Sequence, residues 1–228
     1  MEILHNGFTL QLCEGAFPLS TDSIALSGFI RLPRNARVLD LGAGCGTLGL
    51  LLCANDPTCT VAGVEIDESA HIMALENIAS NRISSRLTSI CGDIRTLPSL
   101  FAAGSFHCCV SNPPYFSAAQ ESANSVIRHE HLCSLDELFT AASWAIRYGG
   151  DFFLVHKPER LSELCACATI HKLEPKRLQL LRHKPTDPIA LVLLQCRKGA
   201  KPGLLIEEEF LQNADGTPSD YYRKLYHL

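Results

Sequence analysis

The sequence predicts an α/β protein: a seven-stranded, mostly parallel sheet with helices on both faces and its last strand antiparallel. Three observations carry that expectation. Short apolar runs of strand length alternate with helix-length periodic segments from residue 37 onward, a glycine-rich turn joins the first such run to a helix, and the alternation closes on two strands linked directly by a turn. Arg37–Leu41 (RVLDL) is the first strand, and the apolar helix Thr47–Ala54 after it is stopped by Asn55-Asp56-Pro57. Thr60–Ile66 is the second strand. The helix Glu68–Asn81 is expected to bury a face made of Ile72, Leu75, Ile78 and Ala79. Strands near Leu87–Cys91 and Phe106–Ser111 follow. Ser134, with Glu137 three residues on, makes a capping box for a helix running through Tyr148, which Gly149-Gly150 ends. Asp151–His156 is the fifth strand and Arg160–His171 a helix. Lys176–Leu181 and Ile189–Cys196 are the final pair, joined around Pro185-Thr186-Asp187-Pro188. Ahead of this core, residues 1–36 read as a hairpin around Asn6-Gly7 and a helix from about Ser23 to Ile30. Residues 37–200 form the core domain and 201–228 an acidic, turn-rich tail with Tyr221, Tyr222 and Tyr226, the whole making a single structural domain.

A chain of 228 residues with 46% apolar and 19% charged residues can bury a core without covalent staples. No apolar run reaches the ~18–20 residues of a membrane span. The N-terminus lacks the basic start and apolar centre of a secretory signal, so a cytoplasmic protein is expected, and a monomer. The eleven cysteines form no pair of CxxC clips, and most lie inside apolar stretches, as Cys53, Cys91, Cys108 and Cys196 do. They read as small buried hydrophobes in a reducing compartment, and no metal is expected.

Net charge is −4 but unevenly spread. Residues 1–146 hold 7 Lys/Arg against 14 Asp/Glu, residues 147–201 hold 11 against 5, and the last 27 hold 2 against 5. The basic segment is a candidate phosphate-facing surface, and equally what a solvated helix face and strand ends look like.

The first candidate site follows the first strand, at Asp40-Leu41-Gly42-Ala43-Gly44-Cys45-Gly46. Glycines let the backbone turn tightly and a ligand approach closely, and the next helix starts at once with its free N–H groups. Glu65, at the end of the second strand, has the spacing of an acid that binds ribose hydroxyls. Gly44-Cys45-Gly46-Thr47-Leu48-Gly49 also satisfies GxGxxG, so the glycines alone leave a nicotinamide dinucleotide open. Asp40, just before the Gly loop, favours S-adenosylmethionine, whose ammonium group needs an acceptor where a dinucleotide carries pyrophosphate. At the end of the third strand, Asp93 is placed to accept the cofactor's adenine amine, with Ile94 beside it.

The most informative stretch is Ser111-Asn112-Pro113-Pro114-Tyr115-Phe116, after the fourth strand. Two prolines make a rigid loop at the mouth of the sheet, where such folds do chemistry. The Asn112 side-chain oxygen and a carbonyl beside Pro113 can both accept from an –NH2 group. A conjugated amine is a poor nucleophile, and two acceptors that pull it toward tetrahedral geometry aim its lone pair at an electrophilic methyl. Tyr115 supplies a face for stacking a planar substrate.

With DLGAGCG and NPPY both present, the sequence resembles the amino-methyltransferase branch of the class I S-adenosylmethionine enzymes. That branch holds adenine-N6 enzymes on DNA and RNA and the glutamine-N5 enzymes of peptide release factors, and NPPY does not separate them. Only about 37 residues precede the Gly loop, short of the helical domain of the glutamine enzymes, and there is no room for a DNA-recognition domain. Thr21-Asp22, Val64-Glu65-Ile66-Asp67, Asn112-Pro-Pro-Tyr-Phe and Arg128-His129-Glu130 together are similar to the bacterial tRNA(Val) adenine-N6 methyltransferase family. The resemblance implies a tRNA substrate modified beside the anticodon. It implies Asp40, Gly42, Gly44, Glu65, Asp93 and Ile94 around the cofactor, and Asn112, Pro113, Pro114, Tyr115 and Phe116 around the adenine. Thr21 and Asp22 would close over the cofactor or cap the first helix, and Arg128 would meet phosphate or stand as a surface arginine. A glutamine-N5 methyltransferase of a release factor is the alternative.

Overall fold

In the computed structural model, residues 2–4, 6–12, 19–113 and 133–228 are described. A two-stranded hairpin, β1 (Glu2–Ile3) and β2 (Thr9–Leu10), turns at Asn6-Gly7 with Gly7 at φ 82°, a left-handed value that glycine adopts freely. Helix α1 (Thr21–Phe29) follows. The core then alternates: β3 (Arg37–Leu41), α2 (Thr47–Asn55), β4 (Thr60–Glu65), α3 (Glu68–Ser80), β5 (Leu87–Cys91) and β6 (Phe106–Ser111). After residue 133 come α4 (Leu135–Ala145), β7 (Ile146–His156), α5 (Leu161–Ile170), β8 (Leu173–Arg182), β9 (Ile189–Lys198), β10 (Leu205–Phe210) and α6 (Asp220–Tyr226).

The large sheet runs β10-β8-β9-β7-β6-β3-β4-β5 across the molecule. Strands β3 to β7 are parallel to their neighbours, and β9 enters antiparallel between β7 and β8. The inserted antiparallel strand is as the sequence predicts. The count is corrected from seven to eight, because Leu205–Phe210 of the expected tail adds a parallel edge strand to β8. Alternation along each strand feeds two apolar layers. Val38, Cys108, Val110, Phe153 and Val155 pack toward α1 and α2, while Leu39, Cys109, Phe152 and Leu154 pack toward α4 and α5. Phe152 and Phe153 are both fully buried, each contributing about 2–3 kcal/mol by removal from water. Adjacent Cys108 and Cys109 therefore sit on opposite faces of one strand as core side chains, and burial pushes the Cys108 thiol up to about 12.

Two further expectations are corrected. Ile72 and Leu75 of α3 are 49% and 45% exposed and Ala79 is exposed too; the buried face is Ala70, Ala74, Asn77 and Ile78. Periodicity missed this because the face includes a polar residue. Asn77 is 1% exposed and its amide accepts the Gln11 N–H and donates to the Gln11 and Cys45 carbonyls. Asn81 makes the equivalent pair with Thr9, so two side-chain amides serve β2 as a neighbouring strand would. The helix expected to run to Tyr148 stops at Ala145, and Gly149-Gly150 lie inside β7. A Cβ on Gly150 would come within 2.5 Å of the His107 carbonyl oxygen, so glycine permits a close strand crossing here instead of ending a helix.

The basic segment also resolves. Arg177 and Arg182 of β8 pair with Glu207 and Glu208 of β10, at 3.0 and 2.5 Å, and Arg197 pairs with Asp151. Arg177 is 8% exposed, lies 4.0 Å from the Phe29 ring centroid and donates to the Phe29 carbonyl. The acidic end of the chain thus answers the basic stretch inside the fold, which is why those two arginines are structural. Arg177→Ala strands Glu207 and is expected to lower stability by about 2–4 kcal/mol in urea unfolding; a change under about 0.5 kcal/mol would show that the pair contributes nothing.

Candidate active site

Parallel strands end at one edge of a sheet, and the turns that leave them converge there. Gly42 and Gly44 take φ of 74° and 54°, and the Gly42 and Ala43 amides both donate to the Val64 carbonyl, folding the loop after β3 over the end of β4. That approach needs Gly63, where a Cβ would meet the Ala43 Cβ at 2.7 Å. Gly46, at φ 82°, hands the chain to α2. Glu65 locks the arrangement: its carboxylate accepts the Gly44 N–H at 2.8 Å and the Asp67 N–H at 2.8 Å. Asp67 in turn caps α3 through the Ala70 N–H.

The turns enclose a cleft of about 660 Å³ at the carboxyl ends of β3 to β7. Of the residues expected at the site, Gly42, Glu65, Asp93, Ile94 and Pro113 line it. Gly44 acts through its amide on Glu65. Asp40 sits below the loop, 2% exposed, and its Oδ2 has no hydrogen-bond partner among the described residues. Burial and then the Glu65 charge push the Asp40 carboxyl up to about 7, the Gly49 amide opposing them. A buried acid with an orphaned oxygen under a Gly loop suits a ligand that brings a cation, and the ammonium of S-adenosylmethionine is one.

Asp93 lines the cleft with its carboxylate already engaged. It accepts the Arg95 backbone N–H at 2.8 Å and the Arg95 guanidinium through both oxygens, which holds it below the usual carboxylate range. A carboxylate offers about four lone-pair sites, so Arg95 must yield one before Asp93 can take an adenine amine.

Asn112, just past β6, donates its Nδ2–H to Ser23 Oγ at 2.9 Å, which places the amide oxygen on the opposite arm. Ser111 Oγ donates to the Leu41 carbonyl at 2.8 Å and ties the end of β6 to the root of the Gly loop. Sequence reasoning missed both serines. Thr21 and Asp22 occupy the first turn of α1, which Ser20 caps, so the α1 contact to the NPPY loop comes from the next residue, Ser23. A polar residue one turn into a mostly apolar helix, 7% exposed, is the signal that could have found it. Pro114, Tyr115, Phe116 and Arg128, with His129 and Glu130, lie outside the described residues. His156 at the end of β7, and Arg160 and Glu163 beyond it, line the same cleft and were not expected there.

A Gly loop braced by a ribose-spaced acid, a buried acid beneath it and Asn-Pro at the end of the next strand over define an S-adenosylmethionine-dependent methyltransferase. The chain belongs to the methyltransferase small domain family, matched over residues 23–165, and to the family named tRNA1(Val) (adenine(37)-N6)-methyltransferase, of which a Bacteroides fragilis member is 30% identical over 184 residues, 79% of this chain and 77% of that one. A relative of the same name from Aeromonas hydrophila is 29% identical over 217 residues, covering 92% and 89% of the two chains. Among solved structures, a predicted O-methyltransferase from Agrobacterium tumefaciens superposes with a TM-score of 0.76 at 18% identity, over 91% of this chain and 96% of that one, a likeness of fold.

The Asp40 carboxyl yields a prediction. A carboxyl whose folded value (about 7) exceeds its unfolded value (about 4) stabilises the fold when protonated; that contribution is complete below about 4 and lost as pH rises through 7. His156, buried and held down to about 4, works in the opposite sense below its unfolded value. Comparing Asp40→Asn with the parent protein isolates the first effect. The variant should gain stability relative to the parent by on the order of 2–4 kcal/mol between pH 5 and 8, and parallel stability curves would mean that Asp40 titrates normally.

Proposed function

We propose that the protein transfers a methyl group to the exocyclic N6 of adenine in tRNA, at the base beside the anticodon. The observation that carries this reading is Asn112 held by Ser23 at the carboxyl end of β6, one strand from the Gly loop, in a chain whose relatives carry that activity in their names. Bound S-adenosylmethionine supplies an electrophilic methyl group on a sulfonium. Asp40 receives its ammonium, Glu65 the ribose hydroxyls, and Asp93 with the Ile94 backbone the adenine edge. Gly42 and Gly44 keep that half of the cleft clear of side chains.

The target amine lies in the other half. Asn112 Oδ1 and the backbone carbonyl at Pro113 accept its two N–H groups and turn the nitrogen lone pair away from the ring. In this reading the rings of Tyr115 and Phe116 serve as stacking faces for the base and the fixed φ of Pro114 restricts the motif, while an unpaired loop nucleotide presents its base at low unstacking cost. No base acts before attack, because the lone pair is already available; the proton is lost afterwards from a nitrogen made acidic by alkylation. In this reading Arg128 takes the role of a phosphate contact. No helix among the described residues is long and apolar enough to cross a membrane, and a cytoplasmic monomer acting on free tRNA fits this reading.

The test pairs a substrate choice with a variant. Given labelled methyl donor, the protein should label unmodified tRNA and leave a release factor unlabelled; label in the release factor alone would transfer the reading to glutamine. Asn112→Ala should keep cofactor affinity and lose at least ~100-fold in methyl transfer; unchanged transfer would remove Asn112 from the chemistry.

A further inference from the structure

The cleft is an acidic place for a polyanion to dock. Glu65, Asp67, Asp93, Asp136 and Glu163 line it, and Arg160, the sole Lys or Arg among its described lining residues, is paired with Glu163. Phosphates that arrive with a target base therefore need cations elsewhere, and the opposite, amino edge of the sheet offers a group of them.

Strand β6 meets β7 at that edge through a bulge. Phe106 pairs with Ile146 and Cys108 with Asp151, so His107 faces the four residues Arg147 to Gly150. Gly149 takes a φ of 77°, and Tyr148 beside it is 79% exposed. The Tyr148 ring is nonetheless anchored. Its hydroxyl donates to the Gly199 carbonyl at 2.9 Å, and a Cβ on Gly199 would come within 2.1 Å of it. Arg37 opens β3 next to His107 and donates its backbone N–H to Nδ1 at 3.0 Å, which leaves the ring proton on Nε2. Burial, and then the charges of Arg147 and Arg37, hold this imidazole below its usual range.

Neither Arg37 nor Arg147 forms an ion pair among the described residues. The acids of this edge belong to another arginine. Arg197 grips Asp151 through both oxygens, at 2.9 and 3.0 Å, and Glu174 stands opposite Arg197 in the β8–β9 register. Lys198 adds a further positive charge, its Nζ donating to the Ser143 and Ile146 carbonyls. Two guanidinium groups beside an imidazole N–H suit a phosphate, and an exposed, anchored ring next to them suits a base.

Building on the tRNA reading above, we propose that Arg37, His107, Arg147 and Tyr148 form a second RNA contact at the amino edge of the sheet. There an unpaired nucleotide stacks on Tyr148 and its phosphates meet Arg37 and Arg147. The length of β6 places this contact about 17 Å from Asn112, a span that one folded RNA covers while its target base occupies the cleft.

The experiment measures binding of unmodified tRNA to the full chain over a series of salt concentrations. Arg147→Ala should weaken binding about 3-fold or more and lower the slope of log affinity against log salt by about 1. Tyr148→Ala should weaken it about 5-fold or more with the slope unchanged. Tyr148→Phe keeps the ring and should stay within about 2-fold of the parent. Lys224→Ala removes the same charge from α6 and should leave the slope as it is. In turnover, the losses should fall on KM for tRNA and not on kcat. S-adenosylmethionine affinity by calorimetry, equal to the parent's, is the measure of an intact fold; should Tyr148→Ala fail it, the Arg147→Ala and Tyr148→Phe variants carry the test. An Arg147→Ala variant with the parent's salt slope, a folded Tyr148→Ala variant with the parent's affinity, or a Lys224→Ala variant as impaired as Arg147→Ala overturns the proposal. A parent that binds no tRNA and methylates a release factor would instead overturn the target reading, and this contact with it.

Discussion

The Glu65 carboxylate, bridging the Gly44 and Asp67 amides at 2.8 Å each, is the contact on which the site is built. It joins the loop after β3 to the turn after β4 and so fixes where two strands release the chain. The same acid then has lone pairs left for a ribose. Ser111 extends the brace by bonding the Leu41 carbonyl, which brings the end of β6 into the same frame. Ser23 carries it to Asn112. Among the described residues, Gly42, Gly44, Glu65 and Asn112 thus stand at one edge of a parallel sheet, braced by hydrogen bonds between neighbouring turns and to Ser23 of α1.

Electrostatics gives that edge its character. Burial, and then the charge of nearby Glu65, push the Asp40 carboxyl up to about 7. A cationic ligand resolves the conflict, so binding and ionisation are coupled. Asp93 is arranged in the opposite way, with its charge quenched by Arg95 until something displaces the arginine. Elsewhere charge works for the fold: β10 brings Glu207 and Glu208 alongside Arg177 and Arg182, pairing two of the eleven basic residues of 147–201 within the sheet.

Much of this was legible in the sequence, and the exceptions share a cause. Strands Arg37–Leu41 and Phe106–Ser111 coincide with their apolar runs because buried parallel strands admit little else, while Leu87–Cys91 forms where expected but as an edge strand, which leaves Cys91 exposed and not buried as its sequence context suggests. The Ser134–Glu137 capping box forms as its spacing requires. The α3 face was misread because Asn77 is buried by long-range bonds to Gln11 and Cys45 that no local pattern announces. The eighth strand was missed because Leu-Ile-Glu-Glu-Glu-Phe has the composition of a solvated segment; its place depends on arginines nearly thirty residues away. Gly42, Glu65, Asp93 and Pro113, which line the cleft, were legible as turn residues because turn chemistry after a strand is local. Ser23, Ser111 and His156 were not, since each acquires its position from a strand or helix pairing across the fold.

The central claim is that adenine N6 in tRNA receives the methyl group. Nucleoside mass spectrometry of tRNA from a strain lacking this protein, beside its parent, tests it most directly. The account predicts that N6-methyladenosine beside the anticodon of one valine tRNA is lost and returns with the intact gene but not with Asn112→Ala. Unchanged tRNA, with a release factor that has lost its methylated glutamine, would contradict it.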